Sequence, residues 1–466
     1  MDSNKRFALV ACALFVVFSV FALVATHKLP PSSFKAFYCA GESLLHGSDP
    51  YEVEPLRACE HRVAPGELPA YAVEPAPLPG YALVPWAALA LLPPQAARAL
   101  FAIALAAALA FTAAAIAAIA SLDLIAVALA LLALWYLNLS FGEIPPFAVA
   151  GMALCALMLR RGRPWGAAAG AALTAIEPHL AVPLWLCLAL FAPRVRVPLL
   201  AAGIALAIVD VAAGGPRIVW EFATIALPAQ ARAEIFAADQ FSLTHLAAVA
   251  GASGSVALVA GTLSYVLMTL LGIAVAKRLE GAGKSEYLAL APPAFVLIGG
   301  TFLHDLQFLA ALPLALVLLA RSRSKWPEAL AAALLCVAWS ESASRLALLL
   351  SAASVFAVVW LAMPRRSGRI VWPAAGALAA AALVVALARL PHGPRAVAPA
   401  TPPVAVRAQD TAARAWAIYL ESDAALTTLS ARSFIRKIPT WAGTLLLVTI
   451  AFSCAVPVRR RKLAPE

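Results

Sequence analysis

Apolar positions run continuously along most of this chain instead of recurring at the spacing of a half-buried helix or strand. The stretches 102–120 and 374–388 are almost unbroken in this respect. A helix that is apolar all round requires an apolar surrounding on every side. Strands of an outer-membrane barrel alternate apolar and polar residues, so a barrel is excluded. A spanning helix takes about 20 residues, which leaves room for about 12 to 14 membrane helices. The pattern predicts an all-α, polytopic membrane protein with a large first outer loop.

Composition agrees with the pattern. Of 466 residues, 63% are apolar and 13% charged, with a mean hydropathy of +0.88. That is too little charge to cover a soluble surface. The net charge of +11 does not imply a nucleic-acid partner, because Lys and Arg cluster in short turns between apolar runs, as cytoplasmic loops do. The clusters are Arg160, Arg161 and Arg163; Arg194 and Arg196; Lys277, Arg278 and Lys284; Arg321, Arg323 and Lys325; Arg365, Arg366 and Arg369; and Arg459 to Lys462. Between consecutive clusters lies enough sequence for an out-and-back pair of helices, so all can face one side with both termini.

This alternation divides the chain into an N-terminal anchor helix (1–26), a first outer, periplasmic loop (27–81), a multi-helix membrane domain (82–389), an outer loop (390–440), and a last membrane helix with a basic tail (441–466). The 27–81 loop holds seven acids against four bases, a net −3, which favours the outside. Residues 138–146, 214–255, the vicinity of His304 and 340–345 are the other expected outer segments. Two stretches are too short or broken to span. Residues 82–93 end at Pro93-Pro94, and 165–193 carry Gly166, Gly170, Pro178 and Pro183 around Glu177 and His179. The second predicts two short helices meeting at Glu177-Pro178-His179, an irregularity tolerated at that depth only inside protein or beside a water-filled cavity.

No internal repeat of the transporter kind, repeated pore pattern, phosphate loop or zinc-type spacing is found, and no cofactor or metal is expected. Chemistry at the outer face remains. Here the run Ser33-Phe34-Lys35-Ala36-Phe37-Tyr38-Cys39-Ala40-Gly41, followed by Leu44-Leu45-His46-Gly47-Ser48-Asp49-Pro50-Tyr51, resembles the first outer loop of the family 87 glycosyltransferases. Those are multi-pass GT-C enzymes, typified by bacterial mannosyltransferases that use polyprenyl-phosphate sugars. Tyr81 to Pro93, Asn138 to Pro146, Leu159 to Trp165 and Gly170 to Pro178 resemble further family segments in the same order, over roughly residues 7–320. The chain also departs from the family. Ser33 stands where the family typically carries an Asp, the expected base. Glu143 follows Gly142 where Gln is usual, and Glu177 precedes Pro178 where Lys is common.

The resemblance implies transfer of a mannose-like hexose from a polyprenyl-phosphate donor to a lipid or glycan acceptor at the outer face of a bacterial inner membrane. Its partners are then that donor, that acceptor and membrane lipids. Inverting transfer needs a base at the acceptor hydroxyl and groups that stabilise the departing phosphate. The candidate bases are Glu143, Glu177 and Asp49; Glu42, Asp239 and Asp305 are further outer carboxylates. The candidate substrate-binding residues are His304, Asp305, His179, Tyr38 and Arg232, with Arg345, Arg432, Arg436 and Lys437 as further cations. Each also has a local reading. Asp49-Pro50-Tyr51 is an ordinary turn or cap signal, Glu177 can pair with His179, Glu143 can be solvated, His304-Asp305 can cap a helix, and the late cations can anchor at the interface. The second function class is a catalytically silent carrier of lipid-linked glycans, which the absent Asp favours.

Cys12, Cys155, Cys187, Cys336 and Cys454 lie in apolar runs and read as small buried side chains. Cys39 and Cys59 alone lie in a polar segment assigned to the oxidising side, which predicts a disulfide between them.

Overall fold

Proline and glycine set the boundaries of many of the helices. Proline at the first helical position loses no hydrogen bond, and glycine just past the last accepts a left-handed backbone. The computed structural model describes residues 3–27, 32–237, 239–281, 283–337, 339, 345–363, 405–422 and 431–455. In chain order its helices are α1 (Ser3–Thr26), α2 (Ser32–Leu45), α3 (Val53–Val63), α4 (Gly80–Leu89), α5 (Pro94–Ala120), α6 (Leu124–Phe141), α7 (Pro145–Arg160), α8 (Pro164–Thr174), α9 (Pro178–Phe191), α10 (Arg196–Glu221), α11 (Leu227–Ala233), α12 (Leu243–Val249), α13 (Gly254–Glu280), α14 (Tyr287–Phe295), α15 (Leu312–Arg321), α16 (Trp326–Leu335), α17 (Arg345–Ala362), α18 (Ala412–Ser422) and α19 (Ala431–Ala455). Among the described residues there is no strand, only isolated bridges between Glu52 and Thr411 and between Gln240 and His304. The chain is an all-helical, polytopic membrane protein.

Among the described residues, seven helices are long and apolar enough to cross a membrane, fewer than the 12 to 14 expected from apolar length. Short helices that pair and turn back account for part of the difference, and the apolar run 374–388 lies outside the described residues. α8 and α9, of 11 and 14 residues, rise about 16 and 21 Å at about 1.5 Å per residue, against a hydrocarbon core of about 30 Å. α15 has 10 residues and rises about 15 Å. The expected pair around Glu177-Pro178 is therefore present, and α14 with α15 forms a second such pair turning near His304.

The feet of these pairs are basic. Arg160, at the end of α7, donates to the Ile119 carbonyl at the end of α5. Lys277 of α13 lies over the Phe191 ring at the end of α9, and Arg321 of α15 bonds Glu286 just before α14. The opposite end carries the acidic tips.

α14 and α15 form the centre of the bundle, buried along nearly their whole lengths. Around them pack α5, α7, α9, α13, α16 and α17. α7 and α8 approach closely because Gly151 and Gly170 face each other: a Cβ on Gly170 would lie 2.4 Å from the Cys155 nitrogen, and one on Gly151 2.6 Å from the Thr174 nitrogen. Small residues at such crossings substitute backbone contact for the hydrophobic drive that lipid does not supply.

The first polar segment folds over the acidic end. α2 packs on α4 and α3, and Cys39 and Cys59 are disulfide-bonded, as the sequence predicts. α10 breaks at Gly215, with φ +76°, where the outer segment 214–255 was expected to begin. Arg217, just beyond, pairs with Asp49 at 3.1 Å. Residues 405–411 join the same face: Val53 N–H donates to Asp410 O at 2.9 Å and Ala412 N–H to Tyr51 O at 2.8 Å. α19 begins at Ala431, within the segment 390–440 assigned to a loop; the remainder of that loop, apart from 405–422, lies outside the described residues.

Candidate functional site

The turn after α6 is built for close approach. Asn138 O accepts from both Gly142 and Glu143 N–H at 2.9 Å, and Gly142 takes φ +78°. A Cβ on Gly142 would lie 2.7 Å from Phe34 Cβ and 2.9 Å from Phe34 N. Glycine at this position lets the turn press against the start of α2, which brings Glu143 close to Ser33. Burial pushes the Glu143 carboxyl up to about 7, against the opposing effects of Ser33 and His304.

On its other side Ser33 donates to Glu74 Oε1 at 2.8 Å. Lys35, 2% exposed, lies 2.8 Å from Glu74 Oε2 and 3.0 Å from Glu67 Oε2. Burial disfavours the Lys35 charge, but Glu74 and Glu67 outweigh it and hold the ammonium well above its usual range. Glu60, beside the disulfide, accepts from Glu74 N–H at 3.1 Å. Its burial, reinforced by Glu74, pushes its carboxyl up to about 8.

The second tip brings Glu177 and His179, whose Oε2 and Nδ1 are 3.2 Å apart. Gln307, at the third tip, accepts from His304 N–H at 2.9 Å. His304 Nδ1 meets Asp239 Oδ2 at 3.0 Å. Burial opposes charge on this ring, but Asp239, Glu234 and Glu143 raise it to about 10. Its Nε2 lies 3.0 Å from the Gln240 amide nitrogen, while the Gln240 amide oxygen accepts from Leu303 N–H at 2.9 Å. Once the imidazole is charged, its Nε2–H finds no acceptor in the Gln240 amide nitrogen, which leaves that donor available to an anionic ligand.

Loop 234–242 is itself anchored. Trp416 Nε1 donates to Glu234 at 2.7 Å, and Lys437, 1% exposed, donates to Gln240 O at 2.6 Å and lies 3.4 Å from His245 Nε2.

Of the residues singled out from sequence, Glu143, Glu177, His179 and His304 converge, joined by Asp239 and Lys437 from the wider candidate set. Asp305 is buried at the start of the 3-10 turn Asp305–Ala311. Asp49 belongs to a different network with Tyr51 N–H at 2.8 Å and Arg217. The Tyr38 hydroxyl donates to Leu92 O at 2.9 Å, Glu42 pairs with Arg62, and Arg232 and Arg345 are exposed. The side chain of Arg432 lies outside the described residues.

Sequence reasoning missed Lys35, Glu74, Glu60, Glu234, Gln240 and Gln307 as site residues. Lys35 had a signal, a cation set among Phe34, Phe37 and Tyr38 on an apolar helix face. Glu74 had none, because it sits in an irregular Pro-rich stretch.

Among the described residues, no group of three His, Cys, Asp or Glu side chains has the arrangement of a metal site. The arrangement offers a half-buried carboxylate with a proton affinity near neutrality, a second carboxylate beside it, and an imidazolium that opposes them across the same site. Comparison with family models, curated proteins and solved structures returns no match to this chain.

Proposed function

We propose that this protein is a GT-C-type membrane glycosyltransferase that moves a mannose-like hexose from polyprenyl phosphate to a lipid or glycan acceptor. In this reading the acidic end faces the periplasm, the basic feet and both termini face the cytoplasm, and the membrane is a bacterial inner membrane. The observation that carries the proposal is the meeting of Glu143, Glu177 and His304 at three helix tips beneath the first polar segment. A general base works best with a pKa near the operating pH, which Glu143 has. Glu143 accepts the acceptor proton as the sugar's bond to phosphate breaks. The His304 Nε2–H binds the departing phosphate, stabilising charge where it develops. Gln307 holds the His304 turn in register. The short helices leave this site below the full height of the bundle, where a lipid-borne donor reaches it from the side.

The second reading, a silent carrier of lipid-linked glycans, draws on Ser33 standing at the position of the family's Asp. Membrane vesicles given a labelled polyprenyl-phosphate hexose separate the two. Glu143→Gln is expected to lower transfer by about 10²-fold or more with expression intact, and Asp49→Asn to leave transfer in place. Binding of the labelled donor without transfer by the wild type supports the carrier.

A further inference from the structure

The loop between α11 and α12 closes on itself and is entered by a lysine from the last helix. His245 Nδ1 lies 2.9 Å from the Ile235 carbonyl oxygen. A carbonyl only accepts, so this nitrogen carries the ring proton, and Nε2, which faces an ammonium, keeps its lone pair. The bond joins the two ends of loop 235–245. Lys437 of α19 donates to Gln240 O at 2.6 Å, reaches His245 Nε2 at 3.4 Å and lies 5.2 Å from the centre of the Phe241 ring. One turn further along α19, Trp441 Nε1 donates to Phe241 O at 3.3 Å, and its ring packs edge-on against Phe241. The other side of the loop is pinned to the His304 tip. Leu303 N–H donates to Gln240 Oε1 at 2.9 Å and Phe241 N–H to Leu303 O at 2.7 Å, with Phe241 packed on Phe308. Gln240 and Phe241 are therefore held from both sides, and the residue just before them is Asp239, whose Oδ2 lies 3.0 Å from His304 Nδ1.

We infer that Lys437, seconded by Trp441, is a positioning residue of the candidate site: from the last helix it holds loop 235–245 in the register that brings Asp239 to His304. An interfacial anchor keeps its ammonium in water. Lys437 is 1% exposed, and its N–H groups are directed at the loop. Its contacts there are a backbone carbonyl, a neutral imidazole and an aromatic face, so it grips the chain and does not neutralise an acid by direct pairing. Its two possible effects on His304 have opposite signs. Through space, one cation disfavours charge on another; through the loop, Lys437 favours that charge by keeping Asp239 in place. The other ionisable groups facing the ring are Glu234 just after α11, Glu143 after α6, and Glu177 and His179 at the start of α9. A role of Lys437 in the reaction rests on the transferase reading, in which the charged His304 ring binds the departing phosphate; its hold on the loop does not.

The test uses the full chain with isotope-labelled histidine in lipid nanodiscs, alongside the vesicle transfer assay. Imidazole NMR signals lost in His304→Gln are assigned to His304 and followed against pH. Lys437→Met is expected to lower the His304 midpoint from about 10 by about 1–3 pH units, because Asp239 leaves the ring, and to lower transfer by up to about 10²-fold. In an Asp239→Asn background the same substitution is expected to cause no further fall. A midpoint that rises in Lys437→Met shows the lysine acting through its charge alone, and one that stays in place shows a purely local anchor. A fall that persists in full without Asp239 shows another route. Each of these three results overturns the proposal. Trp441→Phe removes one bond to the loop and keeps an aromatic ring on Phe241. Should Lys437→Met not fold, a smaller fall in Trp441→Phe supports the proposal and an unmoved midpoint overturns it. Absence of transfer by the wild type overturns the transferase reading alone, since the His304 midpoints are read without substrate.

Discussion

His304 and Asp239 form an ion pair at 3.0 Å between Nδ1 and Oδ2, joining the tip of the α14 and α15 pair to the loop that precedes α12. Gln240 seals the join by accepting from Leu303 N–H, and Phe241 N–H donates to Leu303 O at 2.7 Å. The pair both holds the loop and sets the charge of the ring.

That charge makes the contribution of His304 depend on pH. Its proton affinity is raised from 6.5 to about 10 in the folded state, so its stabilisation is full below pH 6.5, declines above that, and is lost as pH passes about 10. The thermal midpoint of His304→Gln, measured in detergent, is expected to fall furthest below wild type near the acid end of that window and to converge with it toward pH 10. A deficit that grows with pH would show that the ring is held neutral.

Lys35 is buried between Glu74 and Glu67. Lys35→Met leaves those carboxylates without their cation, and the expected loss is about 3–5 kcal/mol. Lys35→Met with Glu74→Gln is expected to recover part of it, with a coupling of about 0.5–3 kcal/mol. Strictly additive losses in thermal or chemical unfolding would contradict the pairing.

The Cys39–Cys59 bridge ties α2 to α3 one residue from Glu60, and so supports the cluster behind Ser33. Replacing both cysteines by serine is expected to cost about 2–4 kcal/mol and to expose the first polar segment to protease. Free alkylation of both thiols in unreduced wild-type protein would rule the bridge out.

The pairing of Glu52 with Thr411 places residues 60 and 410 on one side of the membrane, and the feet at Arg321 place residue 323 on the other. Single cysteines at position 62, exposed on the same helix as residue 60, and at 410 and 323, on a background lacking the exposed Cys12 and Cys454, are expected to label with an impermeant reagent in intact cells at the first two only. Labelling at 323 from outside would invert the proposed orientation.

The membrane class, the basic and acidic ends and the broken helix at Glu177-Pro178 were legible in the sequence, because each depends on local quantities: apolar length, charge spacing and proline position. The disulfide was legible too, since only Cys39 and Cys59 lie in a polar stretch. Glu143, Glu177 and His304 could be placed together because turns between neighbouring helices share a depth. Depth says nothing of lateral position, which is why Asp49, at the same end, was grouped with them although it is held by Arg217 and Tyr51. Short helices such as α8 and α9 were not separable from full spans by apolar content alone for a related reason: apolar length cannot tell a spanning helix from a shorter one whose polar tip is buried by neighbours. Only the tertiary structure decided that Glu74 comes to Ser33, that Lys35 turns inward to meet it, and that Gln240 and Glu234 surround His304. These contacts join segments with no common periodicity, and their energy comes from pairing charges that the fold itself removes from water.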